Sequence, residues 1–343
     1  MATTSLLDLN PRDWPQHFVD QGYKKFHGKI AAKWVFERGI YDWQAMTDLP
    51  AAMRDELSSS PLLDSELVES LLASDGAHKV LLKLTDGSLV EAVCMPGSKG
   101  QTICISTQVG CGIRCQFCAS GMEGLKRNLT QSEILQQIFW MRREFGDFHR
   151  IVVMGMGEVG HNLSAVLGTL DCLIDEAGGN FSGRRITVST VAPEGAIAAI
   201  ANFGKTVQLA ISLHATTDEL RQQLVPGIKD RTIEQLLDEA EGYFNVTGRE
   251  FTIEYVLLAG VNDSIEQAQQ LADLLRNSRC HINLIPYNNV DELDFHYPDG
   301  KTCEQFAQRL RDNAFSVTLR MSMGKDKQAA CGQLRRRIIE LDV

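Results

Sequence analysis

The sequence of 343 residues lacks the features that mark several specialised classes of protein. It contains no apolar run of the ~18 residues that a membrane-spanning helix needs, and residues 1–5 show neither the basic patch nor the apolar stretch of a signal peptide. Its 28 glycines and 9 prolines form no low-complexity tract and no repeat of fixed period, which excludes a mainly disordered chain and a solenoid. We therefore expect a globular cytoplasmic protein with no membrane association.

Charge and cysteine content narrow the function further. Lys and Arg total 34 against 44 Asp and Glu, so the formal net charge of −10 requires any nucleic-acid partner to be bound by a local basic surface. The nine cysteines are odd in number and occur without an export signal. In a reducing compartment, clustered cysteines predict metal ligands or catalytic thiols rather than a disulfide framework.

The chain divides into three predicted parts. Its length favours about two domains, or one barrel with an accessory piece. Residues 1–75 show short helix-like stretches between glycine-containing loops, which predicts a small helical N-terminal accessory domain. In residues 76–100, two apolar stretches flank Asp86-Gly87, a dipeptide that tolerates positive φ, and this predicts a β-hairpin extension. Residues 101–343 form the predicted core domain, with a cysteine-containing segment at its end.

Beyond residue 100 the chain alternates between short apolar strands and helices, which is typical of a parallel sheet covered by helices. Thr130 and Glu133 fit a capping box that starts one of these helices. About six such units predict an α/β barrel or partial barrel, and a doubly wound sheet is the competing fold. In a barrel, functional residues lie at the carboxyl ends of the strands. The predicted strands are 102–106, 150–154, 185–190, 207–213, 251–257, 281–285 and 316–319.

Three cysteines follow the first of these strands within one short loop. Cys111, Cys115 and Cys118 can converge on one metal centre, and thiolates select zinc or iron–sulfur. Structural zinc usually takes four protein ligands, and no fourth Cys or His occurs in the local run. Three ligands leave one position open, which on a four-iron cluster can bind S-adenosylmethionine (SAM) through its amine and carboxylate. A zinc knuckle completed by a distant Cys or His is the alternative.

This loop, with Phe117 before its last cysteine, resembles the signature of the radical-SAM superfamily. Further motifs along the whole chain resemble the RlmN/Cfr family of radical-SAM RNA methyltransferases. The motifs that carry this resemblance are residues 6–9, 46–50, 104–111, 155–158, 211–214, 283–288 and 329–334. The resemblance implies a radical-SAM partial (βα)6 TIM-type barrel, preceded by the helical domain and the hairpin.

The resemblance also implies the cofactors and the residues that bind them. Cys111, Cys115 and Cys118 would ligate a [4Fe–4S] cluster, which in this superfamily cleaves SAM to a 5′-deoxyadenosyl radical. A single glycine, serine or asparagine at a strand end is more often an ordinary turn or cap, so the SAM-binding assignments depend on the family motifs. The residues assigned to SAM are Gly157, Glu158, Ser189, Ser212, Leu213, His214 and Asn288.

Two more cysteines distinguish this family from most radical-SAM enzymes. The resemblance implies that Cys331 accepts a methyl group from one SAM, and that a radical from a second SAM activates it for addition to adenine. Cys104 then attacks the sulfur of Cys331, and the transient Cys104–Cys331 disulfide releases the product. Glu91 matches the carboxylate that accepts the proton from the adenine carbon, although a lone Glu on a hairpin strand can also simply face solvent.

The implied substrate is RNA, namely 23S rRNA with tRNA as a second substrate. The target adenine must be unstacked to enter the site, so an enclosing RNA-binding surface is required. Reduction of the cluster implies an electron donor such as flavodoxin or ferredoxin, and we expect the protein to be a monomer. Four basic clusters could contribute to the RNA surface, although each could equally be a solvated face: Lys126-Arg127, Arg142-Arg143, Arg184-Arg185 and Arg335-Arg336-Arg337.

Two segments depart from the family pattern. Val159 stands where proline usually follows the Gly-Met-Gly-Glu motif, and residues 189–192 read Ser-Thr-Val-Ala in place of Ser-Thr-Ser-Gly. Methylation of adenine carbon 2 is expected, and carbon 8 is the alternative within the family. Two alternatives lie outside this family. One is a radical-SAM enzyme that acts on a small molecule, although the presence of Cys104 and Cys331 argues against it. The other is a non-enzymatic zinc-binding RNA protein.

Overall fold

A mixed ten-stranded sheet is the centre of the computed structural model, which describes residues 5–320 and 323–334. A separate two-stranded sheet is formed by β5 and β6. The strands are β1 Glu66–Leu72, β2 His78–Lys83, β3 Leu89–Met95, β4 Gln101–Cys104, β5 Gln108–Gly110, β6 Leu125–Asn128, β7 Phe148–Val153, β8 Ile186–Thr190, β9 Gln208–Ser212, β10 Phe251–Leu257, β11 Cys280–Pro286 and β12 Ser316–Leu319.

Helices connect the strands of the sheet and build the N-terminal part of the chain. The α-helices are α1 Trp14–Asp20, α2 Lys25–Ala32, α3 Ala51–Leu57, α4 Gln131–Phe145, α5 Leu163–Ile174, α6 Ala196–Ala201, α7 Asp218–Leu224, α8 Ile233–Thr247, α9 Ile265–Leu274 and α10 Gly300–Asp312. A π-helical turn, Lys33–Glu37, continues α2. Short 3-10 helices occur at Leu6–Asp8, Pro11–Asp13, Trp43–Ala45, Ala119–Gly121, Val159–His161, Gly183–Arg185, Pro226–Ile228 and Lys325–Lys327.

The strand order confirms the predicted partial barrel. The sheet runs β1-β2-β3-β4-β7-β8-β9-β10-β11-β12, and every pair from β4 onward is parallel. At least one helix lies in each crossover between these parallel strands, which is the usual way in which parallel neighbours are connected. Within the described ranges β12 does not pair back to β4, so the sheet stays open. No helix in those ranges has the length and apolar character needed to cross a membrane.

The antiparallel edge is larger than the sequence predicts. The hairpin β2–β3 is present with its turn at Asp86-Gly87, and β3 joins it to β4. Strand β1 also pairs with β2, although residues 66–72 fall in the stretch predicted to be helical. Every side chain of β1 is at least partly exposed. The pattern is weak because an edge strand without a buried face carries no strong apolar alternation.

The N-terminal helices share one apolar core with the barrel. Leu7, Trp14 and Phe36 belong to the same cluster of buried side chains as Ile151 and Leu284 of the central strands. The capping box predicted for α4 is confirmed, because the Thr130 side chain accepts from the Glu133 amide and the Glu133 side chain accepts from the Thr130 amide. The shared core holds residues 5–60 against the barrel.

Candidate active site

The carboxyl ends of β7–β11 and the cysteine loop surround one cavity of about 150 Å³. This is the edge at which a parallel α/β barrel presents its functional loops. The sequence-predicted residues that line the cavity are Cys111, Cys115, Cys118, Gly157, Glu158, Ser189, Ser212, His214 and Cys331. Leu213 and Asn288 are not among the residues of its wall.

The cysteine loop is held by the barrel on two sides. It lies between β5 and β6, which pair antiparallel. The amide of Cys118 donates to the carbonyl of Cys115 at 3.1 Å, which closes a tight turn around the last two cysteines. On the far side, the Gln116 amide donates to Leu224 O at 3.0 Å and the Gly227 amide donates to Ile113 O at 2.9 Å. These backbone hydrogen bonds therefore hold the loop that carries the three cysteines at the edge of the cavity.

The chemistry of these three thiols fits a metal cluster. Burial raises the pKa of Cys111 to about 12 and raises the pKa of Cys115 and Cys118 as well. Thiols in such surroundings ionise readily only beside a positive centre, which a metal supplies. Within the described residues no three His, Cys, Asp or Glu side chains are arranged to share a single metal ion. A four-iron cluster does not require that arrangement, because it takes each thiolate on a separate iron.

Gly157 forms the turn that ends β7 beside the cavity. Its φ of +108° is rarely adopted by residues with a side chain, and an added Cβ would lie 2.7 Å from Gln108 Cβ and Thr107 Oγ1. Val159, where the sequence departs from the family pattern, starts a short 3-10 helix and is buried in the main apolar core. The residue at this point of departure therefore lies in the core behind the turn, while Gly157 and Glu158 line the cavity.

Glu158 ties the end of β7 to the end of β8. Its carboxylate accepts hydrogen bonds from the Gly160 amide at 2.8 Å, the Val191 amide at 2.9 Å and the hydroxyl of Thr190. Burial raises the pKa of Glu158, and these hydrogen bonds oppose that effect. The side chain lines the cavity while it holds two loops together, so a ligand amine or hydroxyl would share the carboxylate with backbone donors.

Polar groups from β8 and β9 form the next part of the wall. The hydroxyls of Ser189 and Ser212 are 3.3 Å apart on neighbouring strands. His214 Nδ1 accepts from the Val256 amide at 3.1 Å, and burial lowers the pKa of His214 to about 3. The imidazole is therefore neutral at physiological pH, packs edge-on against Phe117 with ring centroids 5.0 Å apart, and offers a binding surface rather than an acid.

Leu213 and Asn288 lie behind the cavity wall. Leu213 is fully buried in the main core, and its amide donates to Glu254 O at 3.0 Å. Its side chain therefore faces away from a ligand in the cavity. Asn288 follows β11, and its Nδ2 donates to the carbonyl of Cys331 at 3.2 Å. This contact makes Asn288 a support for the segment that carries Cys331.

A second, smaller cavity of about 70 Å³ adjoins the first. Cys104, at the end of β4, lines it together with Cys331, and Cys331 lines both cavities. The segment around Cys331 is fastened to the cysteine loop, because the Ala119 amide donates to Gly332 O at 2.8 Å and Ser120 Oγ donates to Leu334 O at 2.5 Å. The two sequence-predicted cysteines thus share one cavity, beside the cluster loop.

Arg320 is a residue of this second cavity that the sequence analysis missed. Burial raises the pKa of Cys104 to about 12, the nearby Cys331 adds to the rise, and the Arg320 charge opposes it. Conversely, Cys331 is the main cause of a raised Arg320 pKa. A guanidinium near the buried Cys104 thiol favours the thiolate that displacement chemistry uses. Arg320 directly follows the predicted strand 316–319, and this position at a strand end could have indicated a functional role.

Glu91 is buried on β3 and lies outside the walls of both cavities. Its Oε1 is 2.9 Å from Nζ of Lys79 on the neighbouring strand, and both side chains are less than a tenth exposed. Val93, two residues further along β3 and hence on the same face, lines the cavity of Cys104. Glu91 therefore approaches that cavity along its strand but does not face solvent.

The described basic clusters are largely occupied by protein contacts. Arg127 forms ion pairs with Asp86 and Glu133, at 2.8 Å in each case. Arg142 donates hydrogen bonds to the carbonyls of Phe36 and Glu37. Arg185 stacks over the ring of Phe181. They brace the hairpin, the N-terminal helices and the barrel. The cluster at 335–337 lies outside the described residues.

Comparison with known proteins identifies this arrangement. The family model of the Radical SAM superfamily matches residues 105–274, and that of the ribosomal RNA large subunit methyltransferase N-terminal domain matches residues 4–62. A protein of Alkaliphilus oremlandii named "Probable dual-specificity RNA methyltransferase RlmN" is 40% identical, over 99% of this chain and 100% of that protein. The chain belongs to the RlmN family. A protein of Rhodopirellula baltica with the same name is 42% identical over 95% of this chain and 88% of its own length.

A crystal structure of a radical SAM methyltransferase matches nearly the whole chain. The chain is similar to a radical SAM methyltransferase from Sphaerobacter thermophilus, with a TM-score of 0.94 and 39% identity over 97% of this chain and 99% of that one. RlmN-family membership confirms the resemblance found in the sequence, the radical-SAM α/β fold and a SAM-dependent RNA methyltransferase activity. It implies a [4Fe–4S] cluster and SAM as cofactors and RNA as the substrate.

Proposed function

We propose that this enzyme methylates carbon 2 of adenine in 23S rRNA, and in tRNA as a second substrate, through a methylated Cys331. The observation that carries the proposal is that Cys331 lines two adjoining cavities, one with the three clustered cysteines and the other with Cys104. A thiol in that position can take a methyl group from a ligand of the first cavity and be attacked by Cys104 in the second. Relatives named dual-specificity RNA methyltransferases support the two RNA substrates.

The first cavity offers the groups that the cofactors need. Cys111, Cys115 and Cys118 would hold the [4Fe–4S] cluster. When bound, the cluster and SAM supply a methyl group and the one-electron chemistry that removes a hydrogen atom from it, with two SAM molecules used in each turnover. The residues that would bind or support SAM are Gly157, Glu158, Ser189, Ser212, Leu213, His214 and Asn288, of which Leu213 and Asn288 act from behind the wall.

The chain's own residues carry the methyl transfer. Cys331 Sγ accepts the methyl group as a thioether, and after loss of one hydrogen atom its methylene carbon bonds to carbon 2 of adenine. Glu91 accepts the proton from carbon 2. The one electron that the adduct must also lose would be taken up by the oxidised cluster that Cys111, Cys115 and Cys118 would hold. The Cys104 thiolate attacks Cys331 Sγ, the sulfur–carbon bond breaks, and the electron pair stays on the methylene carbon, which takes a proton to become methyl. A disulfide remains, and its two-electron reduction restores both thiols.

The remaining parts of the proposal concern partners and organisation. We assign residues 1–75 to an RNA-binding accessory domain, 76–100 to a hairpin linker and 101–343 to the radical-SAM core. The match of residues 4–62 to the N-terminal domain of ribosomal RNA methyltransferases supports the first assignment. A monomeric cytoplasmic enzyme that receives electrons from a flavodoxin or ferredoxin completes the proposal.

Mass spectrometry of nucleosides tests it. Adenosines from 23S rRNA and tRNA are compared between the parent strain and a strain lacking this gene, complemented with the wild-type enzyme or with Cys331→Ala. The 2-methyladenosine signal should disappear on deletion and return only with the wild type. Loss of 8-methyladenosine instead would contradict the carbon-2 assignment, and restoration by Cys331→Ala would contradict the covalent route.

A further inference from the structure

Arg221 is a buried cation with no carboxylate at ion-pair distance among the described residues, and the charges of Asp218 and Glu158 act on it only from further away. Its side chain is 2% exposed and lies on α7. Nη2 donates to the carbonyl of Val191 at 2.8 Å, whereas the buried Nε finds no hydrogen-bond partner. Burial lowers the pKa of Arg221 to about 10, so the guanidinium stays protonated at neutral pH. An incompletely compensated buried charge costs several kcal/mol, and a fold that keeps one calls for an explanation.

The surroundings of Arg221 point toward the cysteine loop. The last turn of α7 and the residues after it pack on that loop through two backbone hydrogen bonds, Gln116 N to Leu224 O at 3.0 Å and Gly227 N to Ile113 O at 2.9 Å. The charge of Arg221 acts on the Cys115 thiol, whose pKa it lowers against the larger effect of burial. Arg221 is outside the cavity wall, so it reaches the site through its electric field and not by contact with a ligand.

A cluster at the three cysteines would add negative charge beside Cys115, whose thiol already interacts electrostatically with Arg221. Three thiolates and an oxidised four-iron core together carry one net negative charge, and reduction adds a second. The reduction potential of such a cluster depends on net charge, hydrogen bonding and solvent exposure around it. A fixed positive charge buried beside one ligand stabilises the reduced form more than the oxidised form, because the interaction grows with the charge of the cluster.

We propose that Arg221 is a positioning residue whose charge stabilises the reduced cluster and so raises its midpoint potential. One electron from the external donor enters the cluster, no proton moves with it, and Arg221 keeps its proton throughout. The inference rests on the proposed cluster ligands but not on the identity of the methylated carbon or of the RNA. It assigns to helix α7, in the crossover after β9, an electrostatic role in electron uptake.

The midpoint potential of the reconstituted holoenzyme tests the proposal. Wild type, Arg221→Met and Arg221→Lys are titrated anaerobically with dithionite in the absence of SAM, and the reduced cluster is followed by electron paramagnetic resonance. Arg231→Met is the matched control, because Arg231 is a neighbouring, mostly buried arginine that already has Glu239 as its partner. We expect a more negative potential for Arg221→Met, and potentials close to wild type for Arg221→Lys and Arg231→Met.

The two Arg221 variants separate the effect of the positive charge from that of the guanidinium shape. An unshifted potential in Arg221→Met overturns the proposal, and so does an equal shift in Arg221→Lys, since lysine keeps the charge and loses only the guanidinium shape. If Arg221→Met fails to hold iron while Arg221→Lys holds it at the wild-type stoichiometry, the need for the charge is supported. The proposal is contradicted if neither variant holds iron. It is also contradicted if the midpoint potential shifts from the wild-type value in Arg231→Met alone. A wild-type protein that shows no cluster signal refutes the ligand assignment itself, which distinguishes that failure from the others.

Discussion

Removal of Lys79 should destabilise the protein by far more than removal of another lysine on the same strand. Lys79 Nζ is 2.9 Å from Glu91 Oε1, and the side chains are 9% and 3% exposed. Breaking a buried pair by removing one partner costs about 3–5 kcal/mol, because the other charge stays buried. For a chain of this size ~2 °C of melting temperature is lost per kcal/mol. We therefore expect Lys79→Met to lower the melting temperature by roughly 6–10 °C.

The assay is thermal unfolding of the metal-free protein followed by circular dichroism. Lys83→Met is the matched control, because Lys83 on the same strand faces Glu66 at 3.8 Å with side chains 52% and 70% exposed; it should shift the melting temperature by no more than about 2 °C. The double variant Lys79→Met/Glu91→Leu should recover most of the loss, since it removes both charges. Equal effects of Lys79→Met and Lys83→Met, or no recovery in the double variant, would refute the reasoning.

Three further outcomes follow from the site. Cys118→Ala should lose the cluster and all SAM cleavage, because two thiolates remain for a site that needs three; full iron content in this variant would contradict the ligand assignment. Gly157→Ala should abolish SAM binding and cost roughly 2–5 kcal/mol from strain and overpacking, whereas Gly195→Ala, where φ is +77° but nothing lies within 4 Å, should cost only about 1–2 kcal/mol; calorimetry and melting curves compare them. Burial raises the pKa of Cys104 to about 12, so its thiolate fraction should rise about tenfold per pH unit between pH 7 and 9. The single-turnover rate at which RNA is released from Cys331 should rise in the same way. A flat pH profile of that rate would show that Cys104 is not the attacking group.

Much of the fold and of the site was predictable because its signals are local. The alternation of strands and helices after residue 100 depends on short apolar runs and caps, and strands β10 and β12 have the predicted bounds. The three loop cysteines, Gly157 and Ser189 are close to strand ends in the sequence, so the barrel rule brings them together. Eight of the nine predicted residues that line the cavity lie at or after strand ends in this way, and the ninth, Cys331, was assigned from the family resemblance.

What the sequence could not supply depends on long-range packing. Strand β1 lacks a buried face, so its pattern does not separate it from the helical stretch before it. Arg221 on α7 looks like any surface arginine of an amphipathic helix until the cysteine loop folds over it. Glu158 accepts from the amide of Val191, which follows β8, and Glu91 pairs with Lys79 on β2. Both partners are distant in sequence, so no spacing along the chain indicates that those carboxylates are buried.

The most direct test of the covalent route is mass spectrometry of the tryptic peptide that contains Cys331. The peptide is taken from anaerobically purified wild type, and from Cys104→Ala after incubation with substrate RNA, SAM and a reductant. We expect a methyl group on Cys331 in the wild type. In Cys104→Ala we expect RNA covalently bound through Cys331, visible as an adduct that ribonuclease trims. An unmethylated Cys331 in an enzyme that turns over, or RNA methylation by Cys331→Ala, would contradict it.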